Sequence, residues 1–348
     1  MQVAELTAPR TLRVVDATVS DPAPGEVQVR VEAVGVCGSD LHSYNEGAVG
    51  DTPCIFPMVL GHEPSGVVLK TGPGVTGWQP GDRAALEPAI YCYHCEFCHS
   101  GRHNICANLR FMSNPGEPGF FRQVANLPAA NLLGIPPALS FSQASLIEPL
   151  AVVLHSMKFA DLHVGETAVV FGAGPIGLLT IVCLKLAGAR RIWSVEPLAH
   201  RRELALCMGA DDAIDPGAVD PARQILNDTR GRGADVAVDC ATSGDTLNQS
   251  IHAARNGGRV VVTGIPSELR VPLEFSPMRR KELALYNVRR SNHESEPARD
   301  LLLAHVSRFA PMITHTRPLE AIAEAFALAA SYCDGVGKLI VTPGGGGK

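Results

Sequence analysis

The first part of the chain places apolar residues in short runs that glycine and proline interrupt. The segments EVQVRVEAVGV and SGVVLKTG are rich in β-branched residues, and PGVTGWQPGDRAAL continues the pattern with a turn at Pro80-Gly81-Asp82. Such runs predict antiparallel strands joined by turns. Helices and strands do not alternate before about residue 140, which argues against a parallel sheet. We therefore predict a β-rich domain here.

The pattern changes at SFSQASLIEPLAVVLHSMKFA, where Ser140 or Ser142 can cap a helix. Near-continuous apolar strands then alternate with helical stretches such as IGLLTIVCLKLAG and HRRELALCMG. The strands are TAVVFGA, RIWSVEP, DVAVDCA, GRVVVTGI and ELALYNV. This alternation predicts an α/β domain with a doubly wound parallel sheet. Two amphipathic helices, EPARDLLLAHVSRF and LEAIAEAFALAAS, and a strand, KLIVTP, follow, and we expect the GGGGK tail to be disordered.

Length and charge narrow the class of protein. A chain of 348 residues is longer than one hydrophobic core usually supports, so we expect two domains. A net charge of −5 argues against a partner such as nucleic acid or an anionic membrane. The most apolar stretch contains Lys185 and is too short to span a bilayer. The N-terminus shows no secretory signal, and we expect a cytoplasmic protein.

Four cysteines form a compact cluster, Cys92, Cys95, Cys98 and Cys106, at spacings of three, three and eight. Two Cys-x-x-Cys steps bring thiolates to one ion, and four sulfurs complete a tetrahedron without an open position. We predict a structural zinc, with a redox disulfide pair as the alternative. The isolated cysteines are predicted to be small buried hydrophobic residues: Cys54, Cys183, Cys207, Cys240 and Cys333.

A glycine-rich turn, GAGPIG, follows the strand TAVVF and opens a helix near Pro175. This context indicates a dinucleotide site. Gly172 makes the tight turn, Gly174 admits the pyrophosphate, and Gly177 lets helix and strand pack closely. Ile176 completes the motif at the helix N-terminus, which attracts phosphate groups.

An acidic residue, Glu196, ends the next strand, 19 residues beyond Gly177. A carboxylate at this place binds the ribose hydroxyls of the adenosine and repels a 2′-phosphate, so NAD is favoured over NADP. Arg201 and Arg202 leave the other preference open, because either guanidinium can pair with a phosphate.

A second metal-type set is dispersed along the chain. It comprises Cys37 in GVCGSDLH, His62 and Glu63 in GHE, and Glu148 in IEPL. One thiolate, one imidazole and carboxylates leave a coordination position open for water or an alcohol. Taken alone, Cys37 could equally be a buried thiol and His62 a turn histidine.

These motifs, in this order, resemble zinc-dependent medium-chain dehydrogenases. The polyol branch, typified by sorbitol dehydrogenase, is the most similar, because LIEPL has a glutamate where classical alcohol dehydrogenases have a cysteine. The resemblance covers nearly the whole chain. It implies a discontinuous GroES-like catalytic domain over residues 1–150 and 291–348, which carries both zinc sites. A Rossmann NAD-binding domain over 151–290 is implied between these two parts.

The resemblance also implies roles for individual residues. Cys37 and His62 would bind the catalytic zinc, and Glu63 and Glu148 would complete its shell, directly or through water. A proton relay would run from Ser39, through a ribose of the cofactor, to His42; a hydroxyl relays protons, and an imidazole delivers them near neutrality. Arg289 is an expected substrate contact, although Arg290 follows it where the polyol pattern has a tyrosine.

Together these features predict an oxidoreductase with two zinc ions per chain and NAD. It would interconvert a polyol or related small secondary alcohol and its ketone by hydride transfer. L-threonine 3-dehydrogenase is an alternative on the same scaffold, and a non-catalytic zinc-binding protein is a remote one. The strand ELALYNV presents a sheet edge that a second copy could pair with, and the resemblance implies homodimers or homotetramers.

Overall fold

The computed structural model describes residues 1–345. Their strands are β1 Gln2–Ala8, β2 Thr11–Asp16, β3 Glu26–Gly35, β4 Ala48–Val49, β5 Thr52–Pro53, β6 Glu63–Thr71, β7 Arg83–Leu86, β8 Ala89–Ile90, β9 Arg110–Phe111, β10 Val124–Pro128, β11 Leu132–Gly134, β12 Thr167–Phe171, β13 Arg191–Val195, β14 Asp212–Ile214, β15 Ala234–Asp239, β16 Ala254–Val262, β17 Ala284–Asn287, β18 Ile313–Pro318 and β19 Lys338–Thr342.

The α-helices are α1 Gly38–Glu46, α2 Glu96–His99, α3 Phe141–Ala144, α4 Ile147–Ala160, α5 Pro175–Leu186, α6 Ala199–Met208, α7 Pro221–Asp228, α8 Thr246–Ala253, α9 Phe275–Arg280, α10 Ser295–Ala304, α11 Val306–Phe309 and α12 Ile322–Ser331. Short 3₁₀ segments occur at His103–Ile105, Ala129–Asn131, Ala310–Met312 and Leu319–Ala321. Among residues 1–345, no helix combines the length and the apolar composition needed to cross a bilayer.

The chain forms two compact units. The first contains Met1–Glu148, Ser295–Val306 and the chain from Ile313 onward, and the second contains Pro149–Glu294 and Ser307–Met312. The expected domain limits were residues 150 and 290.

A seven-stranded sheet organises the first unit, in the order β11-β7-β6-β3-β19-β18, with β10 also paired to β3. The long strand β3 lies at its centre and runs antiparallel to β6, β10 and β19. Valines at alternate positions of β3, Val27, Val29 and Val31, are fully buried. They belong to a core that includes Phe121 and Phe326, which shows the strand period of two expected from the sequence.

A six-stranded parallel sheet organises the second unit, in the order β14-β13-β12-β15-β16-β17. Numbered within the unit, this order is 3-2-1-4-5-6, the doubly wound arrangement that binds dinucleotides where the order reverses. Strands β12 and β15 are buried along their whole length, as strands of a parallel sheet covered on both faces must be. The predicted α/β fold with a β-rich part and a doubly wound part is confirmed.

Several strands were not predicted from the sequence, among them β14 and β18. β14 has three residues, in the polar segment DDAI, and pairs in parallel with β13. β18, in ITHTRP, alternates half-buried and exposed residues and pairs in parallel with β19. Neither has the apolar run that marked the predicted strands. The expected disorder of GGGGK concerns residues 344–348, of which 346–348 lie outside the described residues.

The prediction for the isolated cysteines was partly wrong. Cys183 is buried, but Cys54 and Cys240 are half-buried, and Cys207 and Cys333 are exposed. Cys207 belongs to α6, and Cys333 lies in the turn after α12. Single exposed apolar residues are ordinary in folded proteins, so residue type alone does not fix their burial.

Candidate metal and cofactor sites

Cys37 lies where the central strand β3 gives way to helix α1. It is the N-cap residue of α1, with extended backbone angles (φ −98°, ψ 158°). The Asp40 carboxylate accepts a hydrogen bond from the Cys37 backbone N–H at 3.0 Å, a capping contact that fixes the first turn. The backbone that carries the thiol is therefore fixed on one side by strand β3 and on the other by the capped first turn of α1.

The sequence pair His62-Glu63 enters the same region at the start of β6, which pairs with β3. One potential ligand atom from each of Cys37, His62 and Glu63 lies within 4.8 Å of the others. His62 and Glu63 are 6% and 1% exposed. The structure thus brings together three dispersed residues of the predicted catalytic zinc set.

Asp40 orients His62. Its Oδ1 accepts from the Gly61 backbone N–H at 3.1 Å and lies 3.4 Å from His62 Nδ1. Metal-binding histidines commonly carry a carboxylate on the ring nitrogen that faces away from the ion. Burial would lower the pKa of His62, but the charges of Asp40 and Cys37 raise it well above its usual value. The negative charges around His62 therefore favour a positive charge at this position.

The carboxylate of Glu63 shows whether these residues fit a metal ion. Its Oε1 has no hydrogen-bond partner in the described part of the chain, and a buried carboxylate oxygen without a donor is unfavourable. Lys338 forms an ion pair with Glu63 and donates to the Val36 carbonyl at 2.9 Å. A Cβ on Gly35 would lie 2.0 Å from Glu63 Oε2, so only glycine leaves room. The donor types and the unsatisfied oxygen fit a zinc ion.

Glu148 lies in the first turn of α4 and is half-buried. It is not among the three residues whose ligand atoms converge. Loss of solvent raises the pKa of its carboxyl group to about 8; the charges of Glu63 and Glu87 also raise it, while those of His62 and Lys338 oppose the rise. These interactions bring Glu148 into the electrostatic surroundings of the set. A divalent cation would relieve the crowding of carboxylates.

The expected relay residues share helix α1. The Ser39 hydroxyl lies 3.4 Å from His62 Nε2. His42 follows three residues later, which places it on the same helical face as Ser39. Its Nδ1 lies 3.2 Å from Glu46 Oε1, and its side chain is 23% exposed. One group is therefore next to the metal set, and the other reaches solvent.

The four-cysteine cluster closes around one point. The sulfur atoms of Cys92 and Cys98, and those of Cys95 and Cys106, are 3.9 Å apart, while Cys92 and Cys106 are separated by 3.4 Å. A tetrahedron with zinc–sulfur bonds of about 2.3 Å has sulfur–sulfur edges of about 3.8 Å. Backbone donors lower the pKa of Cys92, through His94, to about 5, and they also lower that of Cys95. All four thiols are free, and the geometry fits zinc.

The glycine turn sits at the end of β12, where the strand order of the second unit reverses. Gly172 has φ +89°, which favours glycine. A Cβ on Gly177 would lie 1.8 Å from the Gly172 carbonyl oxygen, so the helix touches the turn. Gly174 caps α5, and Pro175 begins it. This is the geometry that a pyrophosphate at a helix N-terminus requires.

Glu196 follows β13 and is 4% exposed. Its carboxylate accepts from the backbone N–H groups of Ala173, at 2.8 Å, and Leu198, at 3.0 Å. It therefore supports the glycine turn directly. Arg202 donates to the carbonyls of Glu196 and Pro197 at 2.8 and 2.7 Å and pairs with Asp215.

Two arginines complete the predicted set. Arg201 Nη1 lies 3.8 Å from the point where a Cβ on Gly174 would stand, so Arg201 adjoins the glycine turn. Arg289 is exposed in the chain that follows β17. It belongs to the second unit, whereas Cys37 and His62 belong to the first.

Sequence reasoning missed Lys338 and underestimated Asp40. Lys338 is fully buried on β19, far in sequence from the residues it contacts, and no motif marks it. Asp40 accepts a hydrogen bond from the Cys37 backbone N–H in its own turn, and it also lies 3.4 Å from His62 Nδ1. The signal for Asp40 was present, because an acid three residues after an N-cap position is a capping pattern.

Comparison with known proteins shows which family the chain is similar to. A family model for the alcohol dehydrogenase GroES-like domain matches residues 23–137, and one for zinc-binding dehydrogenases matches residues 175–304. Sorbitol dehydrogenase from Bacillus subtilis is 32% identical over 99% of this chain and 97% of its own length.

Solved structures show the same similarity. A protein from Sinorhizobium meliloti 1021, assigned as a zinc-binding dehydrogenase and bound to NADP, superposes with a TM-score of 0.90 at 30% identity, over 98% of this chain and 99% of that one. The 2R,3R-butanediol dehydrogenase of Bacillus subtilis superposes with a TM-score of 0.88 at 29% identity and the same coverage.

The chain therefore belongs to the zinc-dependent medium-chain dehydrogenase family and is an oxidoreductase. Within that family it groups with the polyol branch, whose members include the sorbitol dehydrogenases.

Proposed function

We propose that this enzyme oxidises a polyol or a related small secondary alcohol to its ketone, with NAD as the hydride acceptor. The observation that carries the proposal is the convergence of Cys37, His62 and Glu63 within 4.8 Å in a buried setting. One thiolate, one imidazole and a carboxylate leave a coordination position for a substrate oxygen. The names of the relatives, sorbitol and butanediol dehydrogenases, support the substrate class.

The protein's own residues would hold the ion and move the proton. Zinc, when bound, is a Lewis acid that makes an alcohol hydroxyl more acidic, and NAD, when bound, accepts hydride. Cys37 and His62 would hold the ion, with Glu63 or Glu148 completing the set. Ser39 Oγ, which lies 3.4 Å from His62 Nε2, would accept the alcohol proton. His42, whose Nδ1 lies 3.2 Å from Glu46 Oε1, would pass a proton to solvent.

Two consecutive arginines bear on the identity of the proposed substrate. Arg289 is proposed to donate hydrogen bonds to a substrate oxygen, as the resemblance implies. Arg290 stands where the polyol pattern has tyrosine, so that hydroxyl contact of a sorbitol site is not carried over.

NAD is proposed over NADP. The Glu196 carboxylate is fixed by two backbone donors at the place where the adenosine ribose binds in this fold. A fixed negative charge there repels a 2′-phosphate. Arg202, which could have attracted one, is engaged by two carbonyls and Asp215.

We further propose two zinc ions per chain and a cytoplasmic location. The sulfur spacing in the four-cysteine cluster supports a structural ion beside the catalytic one. That cluster is Cys92, Cys95, Cys98 and Cys106. All ten cysteines of the chain are free, which is the usual state in a reducing compartment.

A substrate panel tests the proposed activity. NAD and NADP reduction would be measured with xylitol, sorbitol, galactitol, 2,3-butanediol and L-threonine. We expect turnover with at least one polyol or diol, and NAD favoured at least about tenfold over NADP, the effect of about 1.4 kcal/mol of charge repulsion. Rapid turnover of threonine alone would instead identify an L-threonine 3-dehydrogenase. No turnover and no second zinc would identify a non-catalytic protein.

A further inference from the structure

The chain that follows β17 contains a strained segment, residues 288–294. Arg290 has φ +52° and His293 has φ +68°. Non-glycine residues are strained in this left-handed region. Two such residues so close together persist only where the surroundings determine the backbone. The proposed substrate contact, Arg289, lies in this segment.

Glu294 is a buried carboxylate that accepts hydrogen bonds both from helix α4 and from within the segment. It closes residues 288–294 and is 2% exposed. Its Oε1 accepts from His155 Nδ1 at 3.1 Å and from Lys158 Nζ. Its Oε2 accepts from the Asn292 backbone N–H. One carboxylate therefore ties the segment to helix α4 and also shapes the turn from within.

The partner side of this link is itself held in place. His155 is 8% exposed and packs edge-on against Phe159, with ring centroids 5.3 Å apart. Phe159 in turn packs against Tyr286 of β17 at 5.6 Å. One residue beyond His155, the Ser156 hydroxyl lies 2.7 Å from the hydroxyl of Thr263, the residue that follows β16. Contacts with β17 and with the residue after β16 thus fix the part of helix α4 that carries His155.

The charge state of Glu294 favours its hydrogen bonds to His155 and to the Asn292 backbone N–H. Burial would raise the pKa of Glu294, but the hydrogen bonds from His155, Lys158 and Asn292 lower it below the usual value. The carboxylate therefore stays ionised near neutral pH. Lys158 is 62% exposed, and an exposed cation contributes little to such a pair. His155 is the principal partner.

We propose that Glu294 and His155 are positioning residues that set the backbone of residues 288–294 and thereby place Arg289 for substrate. The role of Arg289 rests on the proposed function, whereas the conformation of the segment does not. Since hydrogen bonds from an arginine act on the substrate and on the transition state alike, misplacing it raises KM and leaves kcat nearly unchanged.

The test compares Glu294→Gln with the parent enzyme. The amide keeps the shape but offers one acceptor oxygen, so it cannot serve both His155 and the Asn292 N–H. We expect KM for the alcohol to rise about tenfold, with kcat within about twofold. Hydrogen exchange of peptides covering 288–294 should become faster. The exposed Glu296 supplies the control, Glu296→Gln, which should change neither.

Two histidine variants separate a specific contact from general packing. His155→Asn keeps an N–H donor near the Nδ1 position and should retain a KM close to the parent value. His155→Leu keeps volume without a donor and should reproduce the KM of Glu294→Gln.

The proposal is overturned if Glu294→Gln leaves hydrogen exchange at 288–294 unchanged. It is also overturned if only the melting temperature falls while KM stays at the parent value, because a purely structural role predicts that result. A parent enzyme that oxidises no alcohol would refute the proposed function instead. In that case the exchange measurement still decides whether the link exists.

Discussion

At the scale of single residues, some side chains of the candidate metal site belong to recognisable sequence motifs and others do not. Cys37, His62 and Glu63 stand in short motifs, and the structure brings their ligand atoms together. Lys338 stands in no motif, yet its buried ammonium group is the counter-charge of Glu63. The motif residues could be predicted because each interrupts a local pattern with a chemically distinctive side chain. The lysine could not, because only the folded sheet brings β19 to Glu63.

Replacing one predicted ligand of the catalytic zinc should remove that ion and leave the structural zinc bound. Cys37→Ala is expected to retain one zinc ion per chain, in the four-cysteine cluster, and to lose at least about a hundredfold in kcat/KM. Elemental analysis and steady-state kinetics on the same preparation measure both quantities. Cys207→Ala, at an exposed cysteine, is the control and should keep both ions. A Cys37→Ala enzyme with parental turnover would contradict the assignment.

At the scale of elements, hydrophobic runs identified the strands of the second unit except one. The run-based prediction succeeded for β12, β13, β15 and β16, whose apolar runs are mostly buried in the sheet. It also succeeded for β17, an edge strand that keeps a short apolar run. It failed for β14, a three-residue edge strand with two aspartates, because an edge strand needs little apolar surface. It also gave no sign of the ionic network below, whose members are dispersed in sequence.

That network joins the start of β15 to its neighbours. The Asp235 carboxylate is 4% exposed and accepts from Arg232 and Arg255, each at 2.6 Å, and from the backbone N–H and the hydroxyl of Thr167 at 2.9 Å. Burial alone would raise the pKa of Asp235, but these hydrogen bonds lower it well below its usual value. The ionised form therefore stabilises the folded state.

Asp235→Asn should reduce the free energy of unfolding by about 2 kcal/mol at neutral pH, because the hydrogen bonds of Arg232 and Arg255, which are 50% and 27% exposed, lose their buried anion. A lowered folded-state pKa contributes stability above the ordinary pKa of about 4, and this contribution is lost as pH falls below it. Melting temperatures of parent and variant should accordingly differ most above about pH 5 and converge in acid. Glu203→Gln, at an exposed carboxylate of α6, is the control. A difference that is constant with pH would rule out the ionised carboxylate as the cause.

At the scale of the whole molecule, one of the two sheet edges of the second unit, β17, lies in a part of the chain that also has exposed apolar residues. β17 ends the sheet with one neighbour, β16. Leu269 and Phe275, in the chain between these strands, are 74% and 61% exposed. Unpaired edges and apolar surface together favour association. We propose that copies of the enzyme pair here to form homodimers, with homotetramers as pairs of dimers.

Light scattering after size-exclusion chromatography tests this proposal. The parent should elute as a dimer or tetramer at micromolar concentration, and Leu269→Asp/Phe275→Asp should shift to a smaller species, because desolvating two carboxylates disfavours an apolar interface. Val164→Asp, at an 89% exposed residue outside this surface, should leave the mass unchanged. A parent that is monomeric under these conditions would contradict the proposal.

The position of β19 between β3 and β18 in the sheet of the first unit has a consequence for biosynthesis. A ribosome emits Cys37, His62 and Glu63 early, but the ammonium group that neutralises Glu63 emerges some 275 residues later, at Lys338. Until then the sheet of the nascent chain lacks the strand β19 that pairs with β3, and the Glu63 carboxylate lacks the charge of Lys338. Ribosome-bound chains truncated before β19 should therefore remain sensitive to protease throughout the first unit, whereas the second unit, contiguous except for Ser307–Met312, can fold ahead of it.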